Sequence, residues 1–384
     1  MIDRQAARRT PERAGSGNRQ DEAQIVPVNG WIFNHTVQNY PALVRINKQI
    51  SSAPVDGRHG APDKWRERNV EARTVLDRIG DSPMVELQKV VPQGAGRVLL
   101  KIESENPTGS MKDRMALAMV EAAERDGRLS PGGSVVEYTG GSTGVSLALV
   151  CAVKGYPLHI VTSDAFSLEK RRHMEALGAT LTVVPSDNGA MDAALTRAMI
   201  AEADRIQRET AALWTDQLNN ADQLSAYRTM GREIWQQTGR RIDAFVQTTG
   251  TAASARGISE FLKERGRDIR TIAIEPAESA VLSGGQSGKH RIEGVGAGFV
   301  VPLWDPEPID EIATVSTGEA MAMSRRLARE EGLFAGTSTG ANVVAALREA
   351  ERLGPDSIVV TIMCDSGVKY LSTELYNGEA RDAD

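Results

Sequence analysis

The sequence predicts an α/β fold in which a parallel sheet is covered by helices on both faces. From about residue 74 onward, short apolar segments alternate with longer segments whose apolar residues recur at helical spacing. Strands without a polar side are typical of sheets that are buried on both faces. A chain of 384 residues, of which 41% are hydrophobic and 25% charged, can bury the core that this fold needs.

The predicted elements follow in an order of alternating strands and helices. Predicted strands cover 98–102, 134–138, 158–162, 180–184, 244–247, 271–274 and 358–363. Predicted helices cover 115–120, 145–153, 168–177, 224–237 and 320–330. Gly178 is a typical residue at a helix end, and Ser316 with Glu319 has the spacing of a capping box before a helix.

Residues 1–73 are predicted to be an extension outside the core. Residues 1–24 are polar and are expected to be disordered. Residues 25–50 hold many aromatic and aliphatic side chains, which predicts a segment that docks on the body or on a partner subunit. Residues 51–73 have the composition of a linker.

Composition excludes several classes of function. The formal net charge of −6 gives no reason to expect a nucleic-acid partner. No apolar run approaches the ~20 residues of a membrane span, so no membrane contact is expected. The two cysteines, Cys151 and Cys364, predict no disulfide and a reducing compartment, the cytoplasm. The five histidines are scattered, and no metal site is predicted.

Lys112 lies on a bend between a predicted strand and a predicted helix. The Asn-Pro-Thr-Gly turn at 106–109 precedes it. A lysine held against such a bend is partly desolvated, which lowers the pKa of its amine, and a neutral amine can form a Schiff base with an aldehyde. Taken as a single residue, a solvated lysine at a helix start is the simpler interpretation.

The whole segment resembles a known motif. Asn-Pro-Thr-Gly-Ser-Met-Lys-Asp-Arg at 106–114 is similar to the Asn-Pro-x-x-Ser-x-Lys-Asp-Arg motif of the cysteine synthase and cystathionine β-synthase family. In that family the lysine, here Lys112, binds pyridoxal 5'-phosphate. Residues 289–299 and 364–373 are also similar to family segments. The resemblance covers about residues 74–375.

The resemblance implies the architecture of fold type II pyridoxal-phosphate enzymes. Two twisted parallel-sheet α/β domains would hold the cofactor in the cleft between them. Residues 74–114 and 226–384 would form the large cofactor-binding domain, and 115–225 the small mobile substrate domain. The resemblance also implies a homodimer.

A glycine-rich segment at 137–144 follows a predicted strand and opens a helix, where free N–H groups attract anions. By itself this pattern also fits a plain turn. It resembles the family's Thr-Ser-Gly-Asn-Thr-Gly loop, which binds the substrate carboxylate. The resemblance implies that a set of loop residues binds substrate, together with a pocket glutamine: Thr139, Gly140, Gly141, Ser142, Thr143 and Gln217. Gly140 replaces the family's serine. Ser142 replaces an asparagine that contacts the cofactor's phenolic oxygen, so Ser142 is expected to take that contact with a shorter side chain.

Small and hydroxylated residues follow the strand predicted at 244–247, a pattern typical of a phosphate site at a helix start. A small-residue helix start packed on a sheet is the alternative. The segment resembles the family's Gly-Thr-Gly-Gly-Thr loop, which implies cofactor contacts from Thr249, Gly250, Thr251, Ala252, Ala253 and Ser254. The two alanines replace glycines, and an alanine still lets the backbone approach a ligand if its φ stays negative.

Residues 336–341 resemble the family's Gly-x-Ser-Ser-Gly-Ala segment, which implies that Ser338 hydrogen-bonds the pyridine nitrogen. A neutral hydroxyl leaves that nitrogen largely unprotonated, which favours elimination at Cβ over transamination. A helix-capping role for Ser338 is the simpler alternative, and the two roles are compatible.

The implied activity is β-replacement on an activated serine through an aminoacrylate, with Lys112 as general base and sulfide or another thiol or amine as nucleophile. Three alternatives stay open at this point. They are a serine or threonine dehydratase, a synthase of a non-standard β-substituted alanine, and a catalytically silent binding protein with the same fold. The presence of Lys112 argues against the last.

Overall fold

The computed structural model of the protein describes residues 74–187 and 193–377. The N-terminal extension predicted over residues 1–73, with its disordered, docking and linker segments, lies outside the described residues. Those predictions therefore stay predictions.

A six-stranded sheet forms the larger of two sheets. Its spatial order is β1-β2-β10-β7-β8-β9, and all neighbouring strands are parallel except β1 and β2, which pair antiparallel. The strands are β1 (Met84–Glu86), β2 (Arg97–Ile102), β7 (Ala244–Thr248), β8 (Arg270–Pro276), β9 (Glu311–Val315) and β10 (Ile358–Met363). Every residue of β7 and β10 is buried, as expected for parallel strands that are covered on both faces.

A four-stranded parallel sheet is built from the middle of the chain. Its spatial order is β5-β4-β3-β6. The strands are β3 (Val135–Tyr138), β4 (Leu158–Ser163), β5 (Thr180–Val184) and β6 (Leu213–Trp214). The two sheets confirm the predicted α/β class with two largely parallel sheets.

Nine α-helices lie between or after the strands in the described part of the chain. They are α1 (Lys112–Arg125), α2 (Ser142–Lys154), α3 (Leu168–Ala176), α4 (Ala193–Thr210), α5 (Gln223–Gln237), α6 (Ala253–Lys263), α7 (Thr317–Arg326), α8 (Thr337–Leu353) and α9 (Glu374–Asn377). Short 3-10 helices lie at Val75–Arg78, Glu103–Glu105, Ala277–Ser279 and Gly367–Tyr370. Helices α2 and α6 follow β3 and β7 through short loops, whereas a 3-10 helix and a turn separate α1 from β2.

Helix α7 shows where the local prediction was right and where it was wrong. Ser316 and Glu319 form the predicted capping box, in which each side chain accepts a hydrogen bond from the other residue's backbone N–H. The helix begins at Thr317 instead of Ala320, because the capping box already fixes the first turn. After Arg326 the chain continues as a π-helical turn over Leu327–Glu331.

The domain boundaries stay a prediction. The four-stranded sheet lies within the predicted small domain at 115–225, and the six-stranded sheet lies within the predicted large domain. The predicted boundary after residue 114 falls inside α1. By contact density, the described residues belong to one compact unit.

Candidate active site

One cavity of about 230 Å³ brings together most of the residues that the sequence singles out. It is lined by the bend that carries Lys112, by the loop between β3 and α2, and by the start of α6. The predicted residues that line it are Lys112, Thr139, Gly140, Gly141, Ser142, Thr143, Gln217, Gly250, Thr251, Ser254 and Ser338. Thr249, Ala252 and Ala253 belong to the same β7–α6 loop but do not line the cavity.

The bend before Lys112 is fastened to the end of β10. Gly109 has a φ of 74°, which favours glycine, and its N–H donates to Asn106 O at 2.7 Å. Ser110 forms an isolated antiparallel bridge with Asp365, and the Met111 N–H donates to Cys364 O at 2.9 Å. The lysine therefore starts α1 from a position that the larger sheet fixes.

The Lys112 amine belongs to the cavity wall. Among the described residues, none is hydrogen-bonded to its Nζ. Burial lowers the pKa of Lys112, and the charge of Lys170 lowers it further, while the carboxylate of Asp365 opposes both. A larger share of neutral amine is therefore present near pH 7 than for a lysine in water.

The two residues after Lys112 lock the bend from behind. Asp113 accepts hydrogen bonds from the Thr108 N–H at 2.8 Å, the Thr108 hydroxyl at 2.5 Å and the Ser146 hydroxyl at 2.6 Å. Burial raises the pKa of the Asp113 carboxyl. Arg114 forms paired hydrogen bonds with both Glu103 and Glu233.

Two glycines of the β3–α2 loop make room for large side chains. A Cβ at Gly140 would overlap the ring of Phe166, and a Cβ at Gly141 would overlap the stem of Lys170. Gly141 also has a φ of 147°, which a side chain rarely tolerates. The replacement of the family's serine by Gly140 thus accompanies an aromatic ring that occupies the serine's space.

Two hydroxyl groups of this loop are hydrogen-bonded to residues outside it, Asp365 and Gln217. The Ser142 hydroxyl donates to Asp365 Oδ2 at 3.1 Å, and the Tyr370 hydroxyl donates to the same oxygen at 2.7 Å. The Thr143 hydroxyl donates to Gln217 Oε1 at 2.8 Å. The pairing of Thr143 with Gln217 agrees with the prediction that both belong to one pocket, and the predicted contact of Ser142 with a cofactor stays a prediction.

Glu137 is a supporting residue that the sequence analysis did not identify. Its fully buried carboxyl group accepts hydrogen bonds from the Thr215 hydroxyl at 2.6 Å and from the Gln217 N–H at 3.0 Å. Burial raises the pKa of Glu137 to about 8. Glu137 thereby fixes the segment that follows β6. Gln217 lies in this segment and accepts the hydrogen bond from the Thr143 hydroxyl. A carboxyl group at a strand end directly before a glycine-rich loop was the available sequence signal.

One alanine of the β7–α6 loop does not meet the condition of a negative φ. Ala252 has a φ of 70°, in the left-handed region. The turn into α6 requires the left-handed conformation whichever residue stands there. A Cβ at Gly250 would overlap the carbonyl oxygen of Gly294. The buried hydroxyls of Thr248 and Thr249 have no hydrogen-bond partner among the described residues.

Ser338 lies in the first turn of α8, and the capping interpretation is wrong. The N-cap residue is Gly336, and no side chain caps the helix. Ser338 lies instead against the thiol of Cys364, whose pKa is raised by burial. This part of the cavity therefore presents a neutral hydroxyl and a neutral thiol.

Four further residues line the cavity, although the sequence analysis assigned none of them a role in the site. Asp365, Tyr370, Lys170 and Glu293 contribute to the wall. Three of them lie in segments that the sequence analysis noted only for their family resemblance. Lys170 lies on α3, outside the motifs of the sequence analysis, so only the fold reveals its position.

Within residues 74–187 and 193–377, no group of three or more histidine, cysteine, aspartate or glutamate side chains has the arrangement of a metal site. No α-helix in the same ranges is long and apolar enough to cross a membrane. Cys151 and Cys364 are both free and buried.

Comparison with known proteins identifies the class of protein that this fold and cavity belong to. The chain matches the family described as pyridoxal-phosphate dependent enzyme over residues 75–365. This match spans more than half of the chain, and the chain belongs to the pyridoxal-phosphate-dependent enzyme family.

More narrowly, the chain is similar to cysteine synthases. It is 42% identical to the cysteine synthase of Staphylococcus aureus over 301 residues, which are 78% of this chain and 95% of that protein. The crystal structure of cysteine synthase from Entamoeba histolytica has a TM-score of 0.76 and 35% identity, and the match covers 83% of this chain and 93% of that one. The crystal structure of O-ureido-L-serine synthase has a TM-score of 0.76 and 36% identity over 81% and 96% of the two chains.

The residues of the cavity fit pyridoxal phosphate. The Lys112 amine is available in the cavity wall for an aldehyde. The hydroxyl of Thr248, which lines the cavity and has no hydrogen-bond partner among the described residues, and the N–H groups at the start of α6 provide donors for a phosphate group. Gly250 also lines the cavity, where its backbone packs against the carbonyl oxygen of Gly294.

Proposed function

We propose that the enzyme replaces the β-substituent of an activated L-serine by a nucleophile, the reaction class of the cysteine synthases. The observation that carries this proposal is the shared cavity of Lys112, the 139–143 loop and the start of α6. The cysteine synthase of Staphylococcus aureus, at 42% identity, supports it. The structural similarity to O-ureido-L-serine synthase supports the broader class of β-replacement.

The cofactor would be held by three groups of residues. Lys112 would bind it covalently through Nζ. Gly250, Thr251 and Ser254 would hold its phosphate, with N–H groups of α6 as further donors. Ser338 would face its ring nitrogen. Pyridoxal phosphate, when bound, supplies an electron sink for the carbanion at Cα of an amino acid.

Protein groups would position the substrate and move its proton. The 139–143 loop would bind the carboxylate with backbone N–H groups, and Gln217 would keep the Thr143 hydroxyl in place. The neutral Lys112 amine would take the Cα proton on its Nζ, and the lowered pKa of Lys112 favours this role. The neutral hydroxyl of Ser338 favours loss of the β-substituent over transamination.

A nucleophile with an N–H donor is a second candidate beside sulfide. Asp365 lines the cavity, and its Oδ1 has no hydrogen-bond partner among the described residues. A buried carboxylate oxygen is stabilised by a donor, which a nitrogen nucleophile carries. Ser142, in place of the family's asparagine, directs its hydroxyl to this same carboxylate group.

The test is product analysis with the purified holoenzyme. O-acetyl-L-serine, O-phospho-L-serine and L-serine are each incubated with sulfide, with hydroxyurea and without a nucleophile. We expect release of the leaving group and a β-substituted alanine, detected by mass spectrometry, with at least one pair. Lys112→Ala is expected to fold normally and to lose almost all turnover. Pyruvate as the sole product under all conditions would show a dehydratase instead.

We further propose a cytoplasmic homodimer with a mobile small domain at 115–225. The family resemblance supports the dimer and the mobile domain, and two free cysteines agree with a reducing compartment. Light scattering of the full chain tests the dimer. A mass that corresponds to a single chain would contradict it.

A further inference from the structure

Lys170 carries a buried positive charge in the wall of the cavity. Only 3% of its side chain is exposed, and its stem packs on Gly141 of the β3–α2 loop. Its Nζ forms an ion pair with Glu293 Oε2 at 2.5 Å and lies 4.1 Å from the centre of the Tyr370 ring. Gly141, Glu293 and Tyr370 line the same cavity.

The ion pair with Glu293 does not by itself explain why a lysine is buried here. Burying a lysine and a glutamate costs desolvation energy that their mutual attraction often only balances. Packing on Gly141 needs only the apolar stem, which methionine also has. An ammonium group has three N–H donors, and the ion pair with Glu293 uses one of them. The Tyr370 ring adds a cation–π contact on one side, and the other N–H donors of the ammonium group remain available to an anion inside the cavity.

We propose that Lys170 binds the carboxylate of the amino-acid substrate at the 139–143 loop. This inference rests on the proposed function, which supplies an amino acid as substrate. The lysine stem lies on Gly141, so its ammonium group belongs to the same wall as the loop's N–H groups and the start of α2. Glu293 keeps the ammonium group in place through one donor, and the remaining donors serve the substrate.

The alternative is a purely mechanical role, in which the stem of Lys170 supports the loop. Lys170→Met separates the two roles, because methionine keeps most of the apolar stem and removes the charge. Lys170→Gln gives the same comparison with a neutral polar head if the methionine variant fails to fold. Lys170→Arg keeps the charge. Lys154→Met is the matched control, since Lys154 pairs with Glu124 and does not line the cavity.

The experiment compares two ligands of the holoenzyme that differ only in the carboxylate. L-alanine carries it, and L-alaninamide carries a neutral amide in its place. Dissociation constants are measured by calorimetry and by the change in absorbance of the bound cofactor. In Lys170→Met we expect the constant for L-alanine to rise about 10- to 100-fold, the range for a lost charge-assisted hydrogen bond. The constant for L-alaninamide should stay within about twofold, and Lys170→Arg should retain most of the preference for L-alanine.

Two outcomes would overturn the inference. An equal loss of affinity for both ligands would show that Lys170 only supports the loop, and unchanged affinity for L-alanine would show that its charge is not used. Neither measurement needs turnover. The wild-type enzyme could bind L-alanine but release no leaving group from any β-substituted alanine. The proposed reaction would then be wrong, while the dissociation constants for L-alanine and L-alaninamide would still test the role of Lys170.

Discussion

At Lys369 the protein buries an ammonium group with no hydrogen-bond partner among the described residues. Burial lowers the pKa of Lys369 from 10.5 to about 8, although the carboxylates of Asp365 and Asp113 partly oppose the shift. Below pH 8 the lysine is charged in both the folded and the unfolded chain, and burying the charge lowers the free energy of unfolding by its full amount. Between pH 8 and pH 10.5 only the unfolded chain still binds the proton, so the cost decreases as the pH rises.

Lys369→Met is therefore expected to stabilise the protein at pH 7. A pKa lowered by this amount corresponds to at most about 3 kcal/mol of unfolding free energy. The gain should shrink between pH 8 and pH 10, as measured by urea unfolding at pH 7, 8.5 and 10. Lys154→Met, which removes a lysine with a carboxylate partner, should show no gain. A loss of stability in Lys369→Met at pH 7 would mean that the buried charge is paired.

Ala252 holds a left-handed backbone conformation that costs an alanine about 1–2 kcal/mol. Ala252→Gly is expected to raise the free energy of unfolding by about 0.5–1 kcal/mol, since the greater freedom of glycine in the unfolded chain offsets part of the relief. Urea unfolding measures the change. Ala253→Gly is the matched control, because Ala253 is as buried as Ala252 but is helical. This variant should lose about 0.5–1 kcal/mol of unfolding free energy. Equal losses in both variants would contradict strain at Ala252.

At the scale of elements, the β3–α2 loop and the turn before α3 are packed as one unit. The ring of Phe166 fills the space that a side chain at residue 140 would need. Gly140→Ser, which restores the residue of the family pattern, is expected to destabilise the protein by about 1–3 kcal/mol through overpacking. It should also weaken L-alanine binding, because the loop must move.

The same serine should be tolerated in a Phe166→Ala background. Thermal melting of the two single variants and the double variant measures the coupling between the two positions. Additive losses would mean that the ring and the loop do not share this space. In that case the ring of Phe166 would not explain why Gly140 stands in place of the family's serine.

The sequence predicted seven of the ten described strands and many of the residues that line one cavity, but not how distant segments meet. The strands over 180–184 and 358–363 have the bounds predicted from their apolar, β-branched residues. The sequence did not predict β1, β6 or β9. Strands β1 and β6 are too short to leave a periodic pattern, and β9 lies at the edge of its sheet and is only partly buried. Lys170 and Glu293 are 123 positions apart, and only the fold brings them together. The φ of Ala252 depends on the turn into α6 and not on the residue itself.

At the scale of the whole molecule, a buried charge network fastens the start of α1 to distant segments. Arg114 pairs with Glu103, which is fully buried, and with Glu233 on α5. Lys101 on β2 donates to Glu233 at 2.7 Å and is also fully buried. These contacts join residues that are up to 132 positions apart, counted from Lys101 to Glu233. Because Arg114 follows Lys112 by two residues, the network also fixes the bend that bears the proposed catalytic amine.

Arg114→Met is expected to cost about 3–5 kcal/mol of unfolding free energy, because it leaves buried Glu103 without its counter-ion. Arg205→Met is the matched control, since Arg205 also pairs with two glutamates but is half exposed, and its loss should leave stability nearly unchanged. Urea unfolding gives both values. Under conditions where Arg114→Met is still folded, the cofactor should be lost faster on dialysis than from the wild type, since the bend at Lys112 loses its anchor. Equal stability of the two variants would mean that solvent reaches the network around Arg114.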